Sequence, residues 1–312
     1  MNLRQLRFIC EIIEHDLNIS AAAATLHTSQ PSVSRQIRGL EDELGLTIFR
    51  RSKRRIFGLT PAGIEIAKVA RSISRQALDL KRIRQDFTAP GKGDLTIAAS
   101  HTYARYILPA IIESFVKTHP AVRVVLRQGD PASIAQLVRI GEADLLISAK
   151  PFQQIPGVLF LPCRRVHRIL LVPRQHAICR AKQLTLAALA KYPLITYDKS
   201  FEAHAQITDA FGKARLTPNI VLTASDVDVM KTYVKRGMGL AIVASIAYDS
   251  IEDRSLQAID ARHLFASNMV NIGIRKEGYI PACLHDFISL FAPKLTPAVI
   301  DRAMFESAQE IK

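Results

Sequence analysis

The sequence predicts an α/β protein with an all-α head: a winged helix-turn-helix, one long linker helix, and an open body of two Rossmann-like halves. Three observations predict it. A short Ala-rich segment is followed at once by a polar, basic helix. An apolar residue then recurs at every seventh position over several turns. Beyond Asp94, strand-like and helix-like runs alternate.

Residues 3–15 read as an amphipathic helix with Leu3, Leu6, Ile9, Cys10 and Ile13 on one stripe. Ala21 to Ala24 combine high helix propensity with a small cross-section, so a following helix can cross closely. After a break at His27-Thr28-Ser29, a second helix opens with Ser29 or Thr28 as cap and Pro31 in its first turn, where a missing N–H costs little. Val33, Ile37 and Leu40 share one face, while Ser32, Ser34, Arg35 and Arg38 lie off it, polar and long enough to reach a groove. Such a pair is a helix-turn-helix; the alternative is a solvated basic helix. Gly45 suits a left-handed helix end. Residues 46–51 and 55–59 then read as strands around the basic turn Ser52-Lys53-Arg54. As a wing, that hairpin lays Arg50, Arg51, Lys53, Arg54 and Arg55 along a phosphate backbone.

Thr60 caps the next helix and Pro61 takes its first position. Ile66, Ile73, Leu80 and Phe87 repeat every seven residues, with Val69, Ala70, Ala77 and Ile83 filling the seam. A narrow heptad stripe wants a partner helix. At roughly 40 Å the helix outreaches so small a head, so the expected partner is the same helix of a second subunit; packing on its own chain is the alternative. Pro90, Gly91 and Gly93 stop it at a hinge. The expected divisions are 1–60 for the winged head, 61–92 for linker helix and hinge, and 93–312 for the body.

In the body, strands are expected at 95–99, 122–127, 144–147, 169–172, 194–197, 221–223, 240–243 and 270–274. Helices are expected at 104–117, 133–139, 186–190, 203–214, 226–236, 284–291 and 297–312. This alternation fits two halves, about 93–163 with 267–295, and about 164–266, joined by two chain crossings.

With 42 Lys and Arg against 28 Asp and Glu, the formal net charge is +14, and half of it falls within the first 92 residues. A polyanion is therefore expected at the N-terminal end. Cys10, Cys163, Cys179 and Cys283 are scattered, as for reduced thiols, and no zinc pattern or other metal-ligand set is present. There is no signal-peptide apolar region and no apolar run approaching membrane-spanning length. A cytoplasmic protein without membrane contact is the expectation. An enzyme is disfavoured: no nucleophile elbow, Walker loop, G-x-G-x-x-G or H-E-x-x-H occurs, and no residue is read as catalytic.

The Leu3-Arg-Gln-Leu-Arg7 start, Ser29-Gln-Pro-Ser-Val-Ser-Arg-Gln-Ile37, Leu40-Glu-Asp-Glu-Leu-Gly45, Ile48-Phe-Arg-Arg51 and Leu59-Thr-Pro-Ala-Gly63 resemble the LysR-type transcriptional regulators over essentially the whole chain. Within that family, Ser100-His-Thr-Tyr-Ala-Arg-Tyr-Ile-Leu-Pro109, residues 216–228 and Lys231-Thr-Tyr-Val234 resemble the CysB-like regulators of sulfur metabolism. The resemblance implies a body of the type-2 periplasmic-binding-protein kind and a dimer of dimers joined by antiparallel linker helices. It also implies promoter DNA as partner, with RNA polymerase as a further contact, and an activator of cysteine-biosynthesis genes. Ser29, Gln30, Pro31, Ser32, Ser34, Arg35 and Arg38 then face DNA. Arg35 suits a bidentate guanine contact worth about 1–3 kcal/mol of discrimination, whereas the wing basics hold phosphates. Arg35→Ala is thus expected to relax sequence preference and Lys53→Ala to weaken all DNA alike. Binding to operator and random duplex at several salt concentrations checks this, and equal losses on both for both variants would refute it.

In paired α/β halves a ligand settles in the cleft at strand C-terminal ends. Ser100 and Thr102 stand at one such junction, Ser148 ends another strand, and Thr196-Tyr197 end a third; ordinary N-capping is the alternative for the hydroxyls. The resemblance implies no cofactor but a small effector: sulfate, thiosulfate, O-acetylserine or N-acetylserine. Its pocket carries over incompletely. Tyr103 stands where Gln is usual, Ala149 where Thr is usual, Val166 where Trp is usual and Glu202 where Thr is usual. Glu202 repels an anion unless it turns to solvent or pairs with Arg164, Arg165 or a ligand amine. Two rivals remain: a family member for sulfonate or aromatic-compound use, and an anion solute-binding protein, which needs an export signal and does not need residues 1–87.

Overall fold

Asn2 starts the first helix, α1 (Leu3–Glu14), through a capping box in which its side chain and that of Gln5 each accept from the other's backbone N–H. The computed structural model describes residues 1–52, 55–89, 91–149 and 155–309 and divides into two units, Met1–Phe87 and Thr88–Lys312. In the first unit Asn18 caps α2 (Ile19–Thr25) and Ser29 caps α3 (Gln30–Leu44), which ends on Gly45 at φ 65°. Ala22 and Ala23 are buried, and their small size lets α2 lie close against α1 and α3. Phe8, Ile9, Ile12, Val33, Ile37 and Leu40 form the core, while Leu3 stays outside it; the inner face of α1 is rotated toward Phe8 and Ile12 relative to the expected stripe.

The wing pairs β1 (Phe49–Ser52) antiparallel with β2 (Arg55–Leu59). It is fastened to α3 by buried Glu41, which accepts from Ile48 N at 2.9 Å, Phe49 N at 3.2 Å and Arg51 Nη2 at 2.7 Å. Thr60 then caps α4 (Pro61–Thr88), its Oγ1 accepting from Gly63 N at 2.9 Å. At Gly63 the helix runs so close to the wing that a Cβ there would lie 2.0 Å from the Ile48 carbonyl oxygen. The heptad stripe is divided in two. Ile66 and Ile73 pack on the head's own core, whereas Leu80 and Phe87 are 68% and 81% exposed. The expectation that the whole stripe faces a second subunit is corrected for its first half, because Ala67 and Ala70 seat that part of α4 on the head.

The second unit contains β3 (Gly93–Ala99), α5 (His101–Tyr106), α6 (Leu108–Thr118), β4 (Val122–Gln128), α7 (Pro131–Ile140), β5 (Leu145–Ala149), β6 (Val158–Val166) and β7 (Arg168–Pro173). It continues with α8 (Leu186–Leu189), β8 (Leu194–Tyr197), α9 (Glu202–Lys213), β9 (Ile220–Ala224), α10 (Val227–Lys235) and β10 (Leu240–Ala244). β11 (Leu256–Asp260), β12 (Asn268–Arg275), α11 (Ala282–Phe291) and α12 (Pro297–Gln309) complete it. Two five-stranded sheets result, in the orders β4-β3-β5-β12-β6 and β9-β8-β10-β7-β11; in each, four strands run one way and one, β12 or β7, runs against them. Each sheet is the heart of one lobe. The chain crosses between lobes at His167, between β6 and β7, and returns between β11 and β12.

Three departures have local causes. The helix expected at 104–117 is two helices, α5 and α6, because Pro109 lacks an N–H and its ring opposes the carbonyl four residues back. β6 was not expected, since it holds Pro162 and the charged pair Arg164-Arg165; a register shift opposite Val270 and Asn271 accommodates the irregularity. β11 is a half-buried strand antiparallel to β7 and was likewise missed. The last helix is not idle: Ile300 is fully buried and Ala303 and Met304 pack on the first lobe's core. Among the described residues no helix is long and apolar enough to cross a membrane.

Candidate functional site

On the head, α3 buries Val33, Ile37 and Leu40 and turns the other side outward. Ser29, Gln30, Pro31, Arg35 and Arg38 are exposed, Ser32 and Ser34 half-buried. Ser29 Oγ is occupied as the cap, and Gln30 Nε2 donates to Ser34 Oγ at 3.0 Å, which stiffens the exposed turn. Arg50 is exposed on the wing. Arg51 is exposed as well, and its Nη2 is paired with Glu41, which holds the wing in place. Lys53 and Arg54 lie outside the described residues.

In the second unit a small cleft separates the lobes. Ser100, Thr102, Tyr103, Pro131, Ser148 and Ala149 line it from the first lobe, and Arg168, Tyr197, Phe201, Glu202, Ala203 and Ala244 from the second. Asn268, first residue of the returning strand, completes the wall. Ser100 stands at the N-cap of α5 yet makes no side-chain cap bond, so its hydroxyl is left for the cleft. Thr102 is buried beside it, and Ser148 Oγ donates to Ala149 O at 2.6 Å. Burial, reinforced by Tyr197, pushes the Tyr103 phenol far above its ordinary pKa. Arg168 pulls it back a little and Glu202 raises it, so the group stays a neutral O–H donor.

Two expected site residues do not reach the cleft. Thr196 is fully buried, its Oγ1 has no partner among the described residues, and it is not part of the wall; its neighbour Tyr197 is. Val166 packs into the first lobe's core, so its replacement of Trp does not reshape the wall directly. Glu202 pairs with neither Arg164 nor Arg165 among the described residues. Its Oε1 accepts from Gln206 Nε2 at 3.1 Å, while Arg164 donates to Phe291 O and lies 5.3 Å from that ring.

Sequence reasoning missed Arg168. It is 2% exposed, its Nε and Nη2 have no hydrogen-bond partner among the described residues, and its Cζ sits 5.2 Å from the Tyr197 ring centroid. A guanidinium buried without a countercharge costs several kcal/mol, and an acid bound in the cleft removes that cost. Asn268 likewise has a buried Oδ1 without a partner among the described residues. Both residues stand directly after a chain crossing, which is why each lobe-to-lobe strand delivers a polar group to the cleft. The signal was one arginine heading the apolar run Ile169-Leu-Leu-Val172.

The two lobes are also tied by polar side chains. Tyr106 at the end of α5 donates to Asp228 Oδ1 at 2.6 Å and accepts from Lys231 Nζ at 2.9 Å, both on α10. Arg105 pairs with Asp228 at 2.7 Å, and Lys231, 5% exposed, pairs with equally buried Asp253 at 2.6 Å.

Residues 3–64 match the bacterial regulatory helix-turn-helix proteins of the lysR family, and residues 88–296 match the LysR substrate binding domain. This chain belongs to the LysR family. The regulator is 41% identical over 300 residues to the HTH-type transcriptional regulator SsuR of Burkholderia cenocepacia, spanning 96% of this chain and 97% of the relative. It is 40% identical over 303 residues to the HTH-type transcriptional regulator CysB of Haemophilus influenzae, spanning 97% and 94%. The solved cofactor-binding domain of the Cbl transcriptional regulator matches at TM-score 0.65 and 39% identity, over 68% of this chain and 93% of that one. The regulator is thus a DNA-binding transcription factor and not an enzyme, of a family that binds promoter DNA, oligomerises and carries an effector-binding domain.

Proposed function

We propose that this regulator activates genes of sulfur assimilation or cysteine biosynthesis in the cytoplasm, as a dimer of dimers, under control of a small sulfur-related anionic or zwitterionic effector held between the lobes. RNA polymerase is the proposed further partner on the promoter. The observation that carries the effector reading is Arg168, a buried residue of the cleft wall with two guanidinium donors that have no partner among the described residues. Ser100 and Thr102 supply neutral donors beside it, and SsuR and CysB are relatives of nearly equal length. The exposed Leu80 and Phe87 on α4 support self-association through that helix.

An effector acts only through different affinities for two arrangements of the assembly; a tenfold preference supplies about 1.4 kcal/mol. Titration calorimetry with sulfate, thiosulfate, O-acetylserine and N-acetylserine tests the site. The Ser100→Ala/Thr102→Ala double variant is expected to lose about tenfold or more in affinity for the compound that binds, and unchanged affinity would remove the assignment. Footprinting upstream of neighbouring genes, with and without that compound, tests the promoter reading.

A further inference from the structure

The cleft is not uniformly cationic. Arg168 enters from the start of β7 and Glu202 from the first turn of α9, and both line the same small space. They form no ion pair with each other among the described residues; Gln206 fixes one oxygen of Glu202. The Tyr103 hydroxyl, in the same wall, feels both charges. The unpartnered donors of Arg168, Nε and Nη2, are the adjacent pair along one edge of the guanidinium, which matches the two oxygens of a carboxylate. Glu202 offers only acceptors, and Asn268 Oδ1 in the same wall is a buried acceptor without a partner among the described residues.

An inorganic oxyanion answers one half of this arrangement. Its oxygens suit Arg168, Ser100 and Thr102, but it carries no donor for Asn268 Oδ1 and meets a like charge at Glu202. An N-acylated amino acid brings one N–H but no positive charge. We propose that the cleft selects a small α-amino-acid zwitterion, its carboxylate on Arg168 and its ammonium toward Glu202, over inorganic oxyanions and N-acylated acids. This rests on the reading of the cleft as the effector site and adds the polarity of the ligand. A ligand of zero net charge leaves the paired charges of the cleft balanced, and each pole of it meets the opposite pole of the wall.

O-acetyl-L-serine and N-acetyl-L-serine are isomers that differ in whether the amine is free, so they isolate the charge. Calorimetry on the full chain in mildly acidic buffer, which stops acyl migration to the amine, is expected to show the O-acetyl isomer binding at least tenfold more tightly than the N-acetyl isomer or sulfate. Glu202→Gln should erase that preference by weakening the O-acetyl isomer alone; this position is partly exposed and its substitution leaves the core intact. Arg168→Lys should weaken both isomers. Equal or tighter binding of the N-acetyl isomer or sulfate by the wild type, an unchanged ratio in Glu202→Gln, or no binding of the free amino acid overturns the proposal. Unchanged affinity of every compound in Arg168→Lys instead overturns the effector-site reading on which it rests.

Discussion

Gly63→Ala is expected to abolish specific DNA binding and to lower the stability of the N-terminal unit by about 3 kcal/mol or more, beyond the usual range for overpacking. The added Cβ would lie 2.0 Å from the Ile48 carbonyl oxygen and 2.9 Å from its carbon. That oxygen is backbone, and it also accepts from Thr60 N at 3.0 Å, so no side-chain rotation relieves the contact. Helix α4 must move from the wing, and the Thr60 cap, the Glu41 anchor and the packing of Ile66 and Ala67 go with it. Thermal unfolding of the full chain, followed by a probe in the head, reads the loss. An alanine variant as stable as the parent would show that α4 does not approach the wing this closely.

Lys231→Met is expected to destabilise the effector-binding unit by about 3–5 kcal/mol, the cost of leaving one member of a buried ion pair behind. Asp253, 3% exposed at its side chain, would keep its charge with only Lys235 at 3.6 Å, a partner that is itself 41% exposed. The same pair makes the parent sensitive to acid. Burial alone would raise the Asp253 carboxyl, but the bond from Lys231, the Asp249 N–H and the two lysine charges outweigh it and hold it below the ordinary carboxylate value. A depressed carboxylate stabilises the fold at every pH above its unfolded value, and that stabilisation fades as the pH falls from there through the lower folded value. Chemical denaturation from neutral to acidic pH should therefore show a decline that Lys231→Met lacks. A variant with the parent's stability and pH profile would contradict the pairing.

Much of the fold was legible because its signals are local. Ser29, Gly45 and Thr60 stand where caps belong, and the apolar spacing of α3 names its inner face without help from the rest of the chain. What was hidden depends on partners distant in sequence. Glu41 and Arg51 both look like surface charges until the wing folds back on α3. Ile66 and Ile73 satisfy a heptad rule equally well whether they meet a second helix or their own head. In the cleft, Ser100 and Thr102 were visible at a strand-to-helix junction, whereas Arg168 and Asn268 become neighbours only through two chain crossings whose positions no periodicity encodes. Thr196 failed for a simpler reason: in a strand, adjacent residues face opposite ways, and its neighbour Tyr197 took the wall.

The location of Arg168 and Asn268 at the crossings has a mechanical corollary. Should the lobes rotate about those strands, groups at the pivot travel least, so whatever they grip is gripped almost alike in the open and closed forms. Pivot contacts then set how tightly a ligand is held, while residues with a longer lever arm, such as Glu202 on α9, set which form it favours. A change at the pivot thus alters affinity alone, whereas a change at Glu202 alters affinity and the favoured form together.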